Sequence, residues 1–151
     1  TFVKVFKKRF VALLPMKKNS ERIPEKNIKI LGKKILFYHI LDSMKKTKLI
    51  SKVVINTDSE KIAKFAKNRY GNWIFINERL PSLIGDAVPM NRVIGQDMKL
   101  FDDDQLFFQT HSTNPFLSVS TICNAIIQPQ ITLNQCHGSF SYISILIVVG
   151  Q

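Results

Sequence analysis

Apolar and polar positions change period repeatedly along this chain. Phe10-Val11-Ala12-Leu13-Leu14 is a short unbroken apolar run closed by Pro15, the pattern of a buried strand. After a polar stretch, Ile35–Lys46 carries Ile35, Leu36, Tyr38, His39, Ile40, Leu41 and Met44 at a spacing that predicts an amphipathic helix. Lys52–Asn56 is β-branched and predicts a second strand. Thr57 followed three residues later by Glu60 reads as a capping box, opening a helix with Ile62, Ala63, Phe65 and Ala66 on its inner face and a stop at Gly71. Trp73–Ile76 predicts a third strand, Asn91–Leu100 a helix and Gln105–Thr110 a fourth strand. Val119–Ile127 predicts a further helix ahead of Pro129.

Strands that alternate with helices imply an α/β fold, a mostly parallel sheet with helices on both faces. The chain is long enough for one domain with a core and too short for two ordinary ones. The pattern places that domain in residues 1–130. Residues 131–151 form an atypical apolar tail, in which Phe140–Val149 would serve as a buried strand. The chain opens on Thr1 rather than methionine, as a fragment edge or processed end would.

Charge sharpens this picture. The formal net charge is +11, and fifteen Lys and Arg stand against three acids (Glu21, Glu25 and Asp42) in residues 1–52. From Gln105 onward there is no Lys, Arg, Asp or Glu at all. Such asymmetry ordinarily suggests nucleic acid or another anionic surface. Lys4, Lys7, Lys8 and Arg9 lead into the first strand, however, and Lys45, Lys46 and Lys48 crowd the end of a helix, where cations suit the macrodipole. Neither group interleaves with the aromatic and glycine pattern of an RNA-binding sheet, so nucleic acid is not the expected partner.

Cys123 and Cys136 lack metal-ligand spacing, so reduced thiols are expected rather than a zinc site or disulfide framework. No signal peptide is visible, and Ile143–Val149 falls far below spanning length. The expected setting is the cytoplasm, without a membrane partner.

Candidate chemistry concentrates in Leu14–Asn27, which sets Lys17, Lys18, Arg22 and Lys26 beside Asn19, Ser20 and Asn27 in a loop directly after the first strand. Open α/β sheets bind ligands where strands empty into such loops, and this one is built for an anion, phosphate above all. The competing reading is a loop that pairs its cations with Glu21 and Glu25. Loops with so many donors carry function more often than they pair with themselves.

Four stretches in order give the chain a family resemblance: PMKKNSERIPEKN, VVINTDSEKIAKFAK, RLPSLIGDAVPMN and FFQTHSTNPFL. Together they resemble motifs of the acylneuraminate (CMP-sialic acid, nonulosonic acid) cytidylyltransferases, over residues 10–127. The resemblance implies a Rossmann-like, three-layer nucleotide-diphospho-sugar transferase fold. It also implies transfer of CMP from CTP to a nonulosonic acid with release of pyrophosphate, aided by Mg2+. Two alternatives stay open: a non-catalytic nucleotide- or polyanion-binding module, and a related nucleotidyltransferase acting on 3-deoxy-manno-octulosonate.

On this resemblance Lys17 stands where the family has its first basic residue, often Arg, and loses that side chain's bidentate fork. Lys17 and Lys26 are the expected catalytic cations. Pro15, Met16, Lys17, Ser20, Arg22, Lys26, Asn27, Arg79, Asp86 and Asn91 are the expected nucleotide contacts. A plain surface turn is the alternative for Arg79 and Asp86, and a helix N-terminal role for Asn91. Asp58, after the second strand, stands where a carboxylate could face ribose or metal, but its place in the capping box favours a structural role. His111, Thr113 and Asn114 are expected to face the acceptor sugar, whereas His39 reads as a packed helix residue. The family's magnesium-binding aspartates lie in a distal part this chain does not reach, so no residue here is assigned to metal, and the exposed run Asp102–Asp104 is not promoted to one. The family's homodimer stays open for the same reason, its projecting element being distal.

Overall fold

The structure, a computed structural model, describes residues 10–102, 105–127 and 146–149. The central strand β1 (Phe10–Leu13) is buried at every position. It pairs in parallel with β4 (Ile50–Thr57) on one side and β6 (Leu106–Gln109) on the other. Outside β4 lies β5 (Ile74–Glu78), again parallel, and outside β6 lies β7 (Leu146–Val149), antiparallel, giving the order β5-β4-β1-β6-β7. The expected strand over 140–149 is present for its last four residues; the rest of it lies outside the described residues.

Alternation along β1 explains the layering. Ala12 on β1, with Leu14 and Met16 just beyond it, faces a large core built with Phe37, Ile40, Leu41 and Met44 of α1 (Leu36–Thr47), Ile62 and Ala66 of α2 (Glu60–Tyr70), and Ile122 and Ile126 of α4 (Val119–Ile127). Val11 and Leu13 face a smaller cluster with Val54, Phe107 and Ile94 of α3 (Met90–Met98), flanked by Met98 and Phe101. Helices therefore cover both faces of a mostly parallel sheet. Among the described residues no helix is long and apolar enough to cross a membrane.

Three details differ from the sequence expectation. Residues Ile30–Leu31 and Lys34–Ile35 form a small antiparallel hairpin, β2 and β3, which two-residue strands could not announce; Gly32 at φ +65° makes its turn. Thr57 is not a helix cap. It is the last residue of β4, paired with Glu78, and Ser59 caps α2 by accepting from the Ile62 N–H at 3.3 Å. Helix α3 runs Met90–Met98 after Pro89 instead of Asn91–Leu100, which leaves Asn91 in its first turn. Gly71 ends α2 at φ +59°, as its sequence position implies.

Candidate functional site

Four parallel strands present their carboxyl ends at one edge, and β1 lies between neighbours reached by opposite routes of the chain, the switch point where open sheets hold ligands. The ladder does not stop at Leu13. The Leu14 N–H donates to the Val54 carbonyl at 2.9 Å and the Met16 N–H to the Asn56 carbonyl at 2.9 Å. Pro15 falls between these bonds, where a missing N–H removes nothing from the β1–β4 ladder. Pro15 and Met16 are thus buried at the floor of the edge, and the basic loop leaves from there.

Three polar anchors pin that loop. The Lys18 N–H donates to Asp58 Oδ1 at 2.7 Å, so Asp58 holds the loop instead of capping a helix. Asn27, only 6% exposed, donates from Nδ2 to the Lys17 carbonyl at 3.1 Å, and Ser112 Oγ donates to Asn27 Oδ1. Glu25 pairs with Lys61 of α2 at 2.8 Å rather than with a loop cation, and Lys17 Nζ reaches across to Asp86. The Lys17 hydrogen bond, with its charge, holds the Asp86 carboxyl below the usual carboxylate range.

The opposite wall is built around Arg79, 6% exposed at the end of β5. Its backbone N–H donates to the Thr57 carbonyl at 3.0 Å, extending the β4–β5 ladder. Its Nε donates to Asn56 Oδ1 at 2.8 Å and its Nη2 to the Asn56 carbonyl at 3.2 Å. Asn56 in turn donates to Asp97 Oδ1 at 2.8 Å and Gln96 Oε1 at 3.0 Å, and Asn77 donates to the same Asp97 oxygen at 2.7 Å. Burial lowers the Arg79 pKa, opposed by the charges of Asp58 and Asp97. Burial likewise raises that of Asp97, opposed by the two amides and Arg79.

A cleft of about 240 Å³ opens between these walls. Pro15, Met16, Lys17, Ser20, Lys26 and Asn27 line it from the loop, Arg79 and Asp86 from the segment after β5, and His111 and Thr113 from the segment after β6. The apolar share of its lining includes Leu83, Val88, Met90 and Val93. Three expected site residues stand elsewhere. Arg22 is exposed on the loop, Asn91 is exposed on α3, and Asn114 borders an adjoining hollow of about 320 Å³ that shares Thr113 with the cleft and includes Phe116, Ser118 and Thr121. Arg79 is no surface turn. His39 is a packed helix residue, with Nε2 2.8 Å from the Leu31 carbonyl.

The arrangement suits a multiply charged anion with an organic part. Three cations converge, one in a fixed planar fork, and polar and apolar side chains share the lining. His111 is kept from protonating by burial first and by the Lys26 charge second, so it faces the cleft as a neutral ring near neutral pH. Metal is a poorer match. Among the described residues no group of three or more His, Cys, Asp or Glu could hold an ion, and Asp86, the cleft's carboxylate, is engaged by Lys17. Sequence reading missed Ser112, Asn56 and Asp97. The available signal was Asp97 itself, a carboxylate four residues after Val93 on the buried stripe of an amphipathic helix.

Comparison with known proteins adds to this geometry. A family model described as cytidylyltransferase matches residues 11–135. The chain is 30% identical over 132 residues to CMP-N,N'-diacetyllegionaminic acid synthase of Legionella pneumophila, covering 82% of this chain and 54% of that protein. Among solved structures it is similar to a CMP:2-keto-3-deoxy-manno-octonic acid synthetase complexed with CTP (TM-score 0.65, 13% identity, 79% of this chain and 46% of that one). It is also similar to 4-diphosphocytidyl-2C-methyl-D-erythritol synthase of Anaerococcus prevotii (TM-score 0.59, 16% identity, 82% and 52%). The two structures speak to the fold alone. The chain spans about half the length of each of these relatives.

Proposed function

Because this chain belongs to the cytidylyltransferase family, we propose that its cleft binds CTP and that the whole enzyme transfers CMP to a nonulosonic acid. The observation that carries this reading is the convergence of Lys17, Lys26 and Arg79 on one cleft at the carboxyl edge of the sheet. In the reaction a sugar hydroxyl oxygen attacks the α-phosphorus, the hydroxyl gives up its proton, and the bond to the β-phosphate breaks to release pyrophosphate. Most of the barrier lies in positioning and in balancing the triphosphate charge.

Arg79 would grip phosphate as a fixed fork, Lys17 and Lys26 as movable point charges. Pro15 and Met16 would set the floor, with Ser20, Asn27 and Asp86 facing ribose or base. His111 and Thr113 line the cleft after β6, and Thr113 also borders the hollow with Asn114, where the acceptor acid would enter. Arg22 and Asn91 fall outside this assignment. Sequence identity to the legionaminic acid synthase favours a nonulosonic acid over a 3-deoxy-manno-octulosonate acceptor. Use of CTP favours a cytoplasmic enzyme. Magnesium is expected to share the phosphate charge, but the described residues do not supply a ligand set for it.

The alternative is a nucleotide- or polyanion-binding module without turnover. Pyrophosphate release separates the two. With CTP, magnesium and a panel of nonulosonic acids, release that depends on one acid supports the transferase, and CTP binding without release supports the module. In either case Lys26→Ala is expected to weaken CTP binding on the order of tenfold with the unfolding temperature kept. Unchanged affinity in the folded variant would remove Lys26 from the site.

A further inference from the structure

Asn56 is the pivot of the buried network. An amide can turn either end toward a neighbour, and only its oxygen end can accept from the Arg79 Nε–H. The choice is made behind it. Both Nδ2 hydrogens are taken, one by Asp97 Oδ1 at 2.8 Å and one by Gln96 Oε1 at 3.0 Å, which leaves Oδ1 facing Arg79 Nε at 2.8 Å. Asp97 Oδ1 accepts from Asn77 as well, at 2.7 Å, and so cannot swing away from Asn56 without abandoning a second buried donor. Asp97 and Asn56 are each fully buried. Neither touches the cleft, yet Arg79 lines it, and the remaining guanidinium N–H groups of Arg79 have no protein acceptor among the described residues.

We propose that Asp97 is a positioning residue that acts through Asn56 to aim the Arg79 guanidinium into the cleft. Asp97 Oδ1 orients the amide, the amide fixes the plane of the fork by holding Nε, and the free Nη edge is presented to an incoming phosphate. The assignment of phosphate to that edge rests on the CTP reading above; the relay from Asp97 to Arg79 does not. A buried carboxylate retained on an otherwise apolar helix face is explained by this role. Removing it alone also strips the Asn56 and Asn77 amides of a shared acceptor, a stability cost distinct from the aiming of Arg79.

The test uses the full chain. Asp97→Leu removes the acceptor and keeps the branched shape, and Asp97→Asn keeps one acceptor. Hydrogen exchange at the Arg79 Nε–H, followed by ¹⁵N NMR, reads the relay without any ligand. Asp97→Leu is expected to speed it about tenfold, and Asp97→Asn to stay within about twofold of the parent. Binding of CTP and of pyrophosphate should weaken together in Asp97→Leu, by about fivefold, while binding of cytidine is unchanged. Unaltered Nε–H exchange in folded Asp97→Leu overturns the proposal, as does equal weakening of CTP and cytidine, which would mark a general structural defect. If Asp97→Leu does not fold, Gln96→Ala at the half-buried neighbouring position removes the second acceptor of Asn56 and should speed the exchange about twofold; no change there overturns it too. Should the parent protein bind no CTP, the functional reading fails while the exchange result still decides the relay.

Discussion

The two walls of the cleft hold their cations by different means. On the loop, Lys17 and Lys26 stand on long stems at half-exposed positions, and the Lys17 ammonium pairs with Asp86, an exposed partner. On the sheet, Arg79 is buried, with Nε fixed by the Asn56 side-chain amide that a carboxylate holds from behind, and Nη2 by the Asn56 backbone carbonyl. Point charges near water adapt to a ligand and are screened by salt. A buried fork is already ordered, so little further entropy is lost when it binds. The sheet wall should therefore dominate affinity, and the loop wall should adjust it.

The strongest way to break that contrast is to compare truncations on the two walls. Arg79→Gln is expected to weaken CTP binding on the order of a hundredfold, because it removes a desolvated charge and leaves Asn56 Oδ1 without its donor. For the same second reason it should lower the unfolding temperature. Lys17→Ala is expected to weaken CTP only about threefold and leave unfolding unchanged. Calorimetric titration and thermal unfolding of both variants decide the matter. Equal losses on the two walls would mean that burial of Arg79 confers no advantage.

Legibility in the sequence follows the same divide. Buried strands carry continuous apolar runs, helices carry the 3.6-residue stripe, and the basic loop announces itself by composition, so the layered fold and one wall of the cleft could be read directly. On the other wall, Arg79 and Asp86 come only from the family resemblance, and the network behind Arg79 could not be read at all. Asn56 meets Asp97 across 41 positions and Asn77 meets Asp97 across 20, and no local pattern links residues that far apart. The misplaced cap has a related cause. Strand β4 runs past its β-branched stretch because Asn56 and Thr57 pair with Asn77 and Glu78, which moves the first available cap from Thr57 to Ser59. Polar residues at strand ends belong to the sheet here, and only the partner strand reveals it.

A smaller effect sharpens the comparison through His111, which lines the cleft after β6. Burial, then the Lys26 charge, lowers its pKa from 6.5. The sign follows. The unfolded chain takes up this proton more readily than the folded one, so the group reduces stability as pH falls below the ordinary histidine range. A bound polyanion favours the charged ring, so CTP binding should raise the His111 midpoint and CTP affinity should rise about threefold from roughly pH 7.5 to about pH 5.5. Imidazole chemical shifts with and without CTP measure this. A midpoint that CTP leaves in place would put the phosphates away from this side of the cleft.

The smallest effect expected is at the loop's own ion pair. Asp86 competes with any ligand for Lys17 Nζ, and its carboxyl is held low by that hydrogen bond, yet both side chains are well exposed, 39% for Lys17 and 51% for Asp86. Exposed pairs contribute little, so Asp86→Asn should leave the unfolding temperature unchanged and tighten pyrophosphate binding only about twofold. It should also steepen the dependence on salt, because a freed ammonium pairs with the ligand instead of with the protein. Pyrophosphate is the proper probe, since it engages the cations without the nucleoside that Asp86 is also proposed to face. If the variant binds pyrophosphate no better than the parent, the Lys17–Asp86 pair opens without resistance, and the loop wall is freer still than its geometry implies.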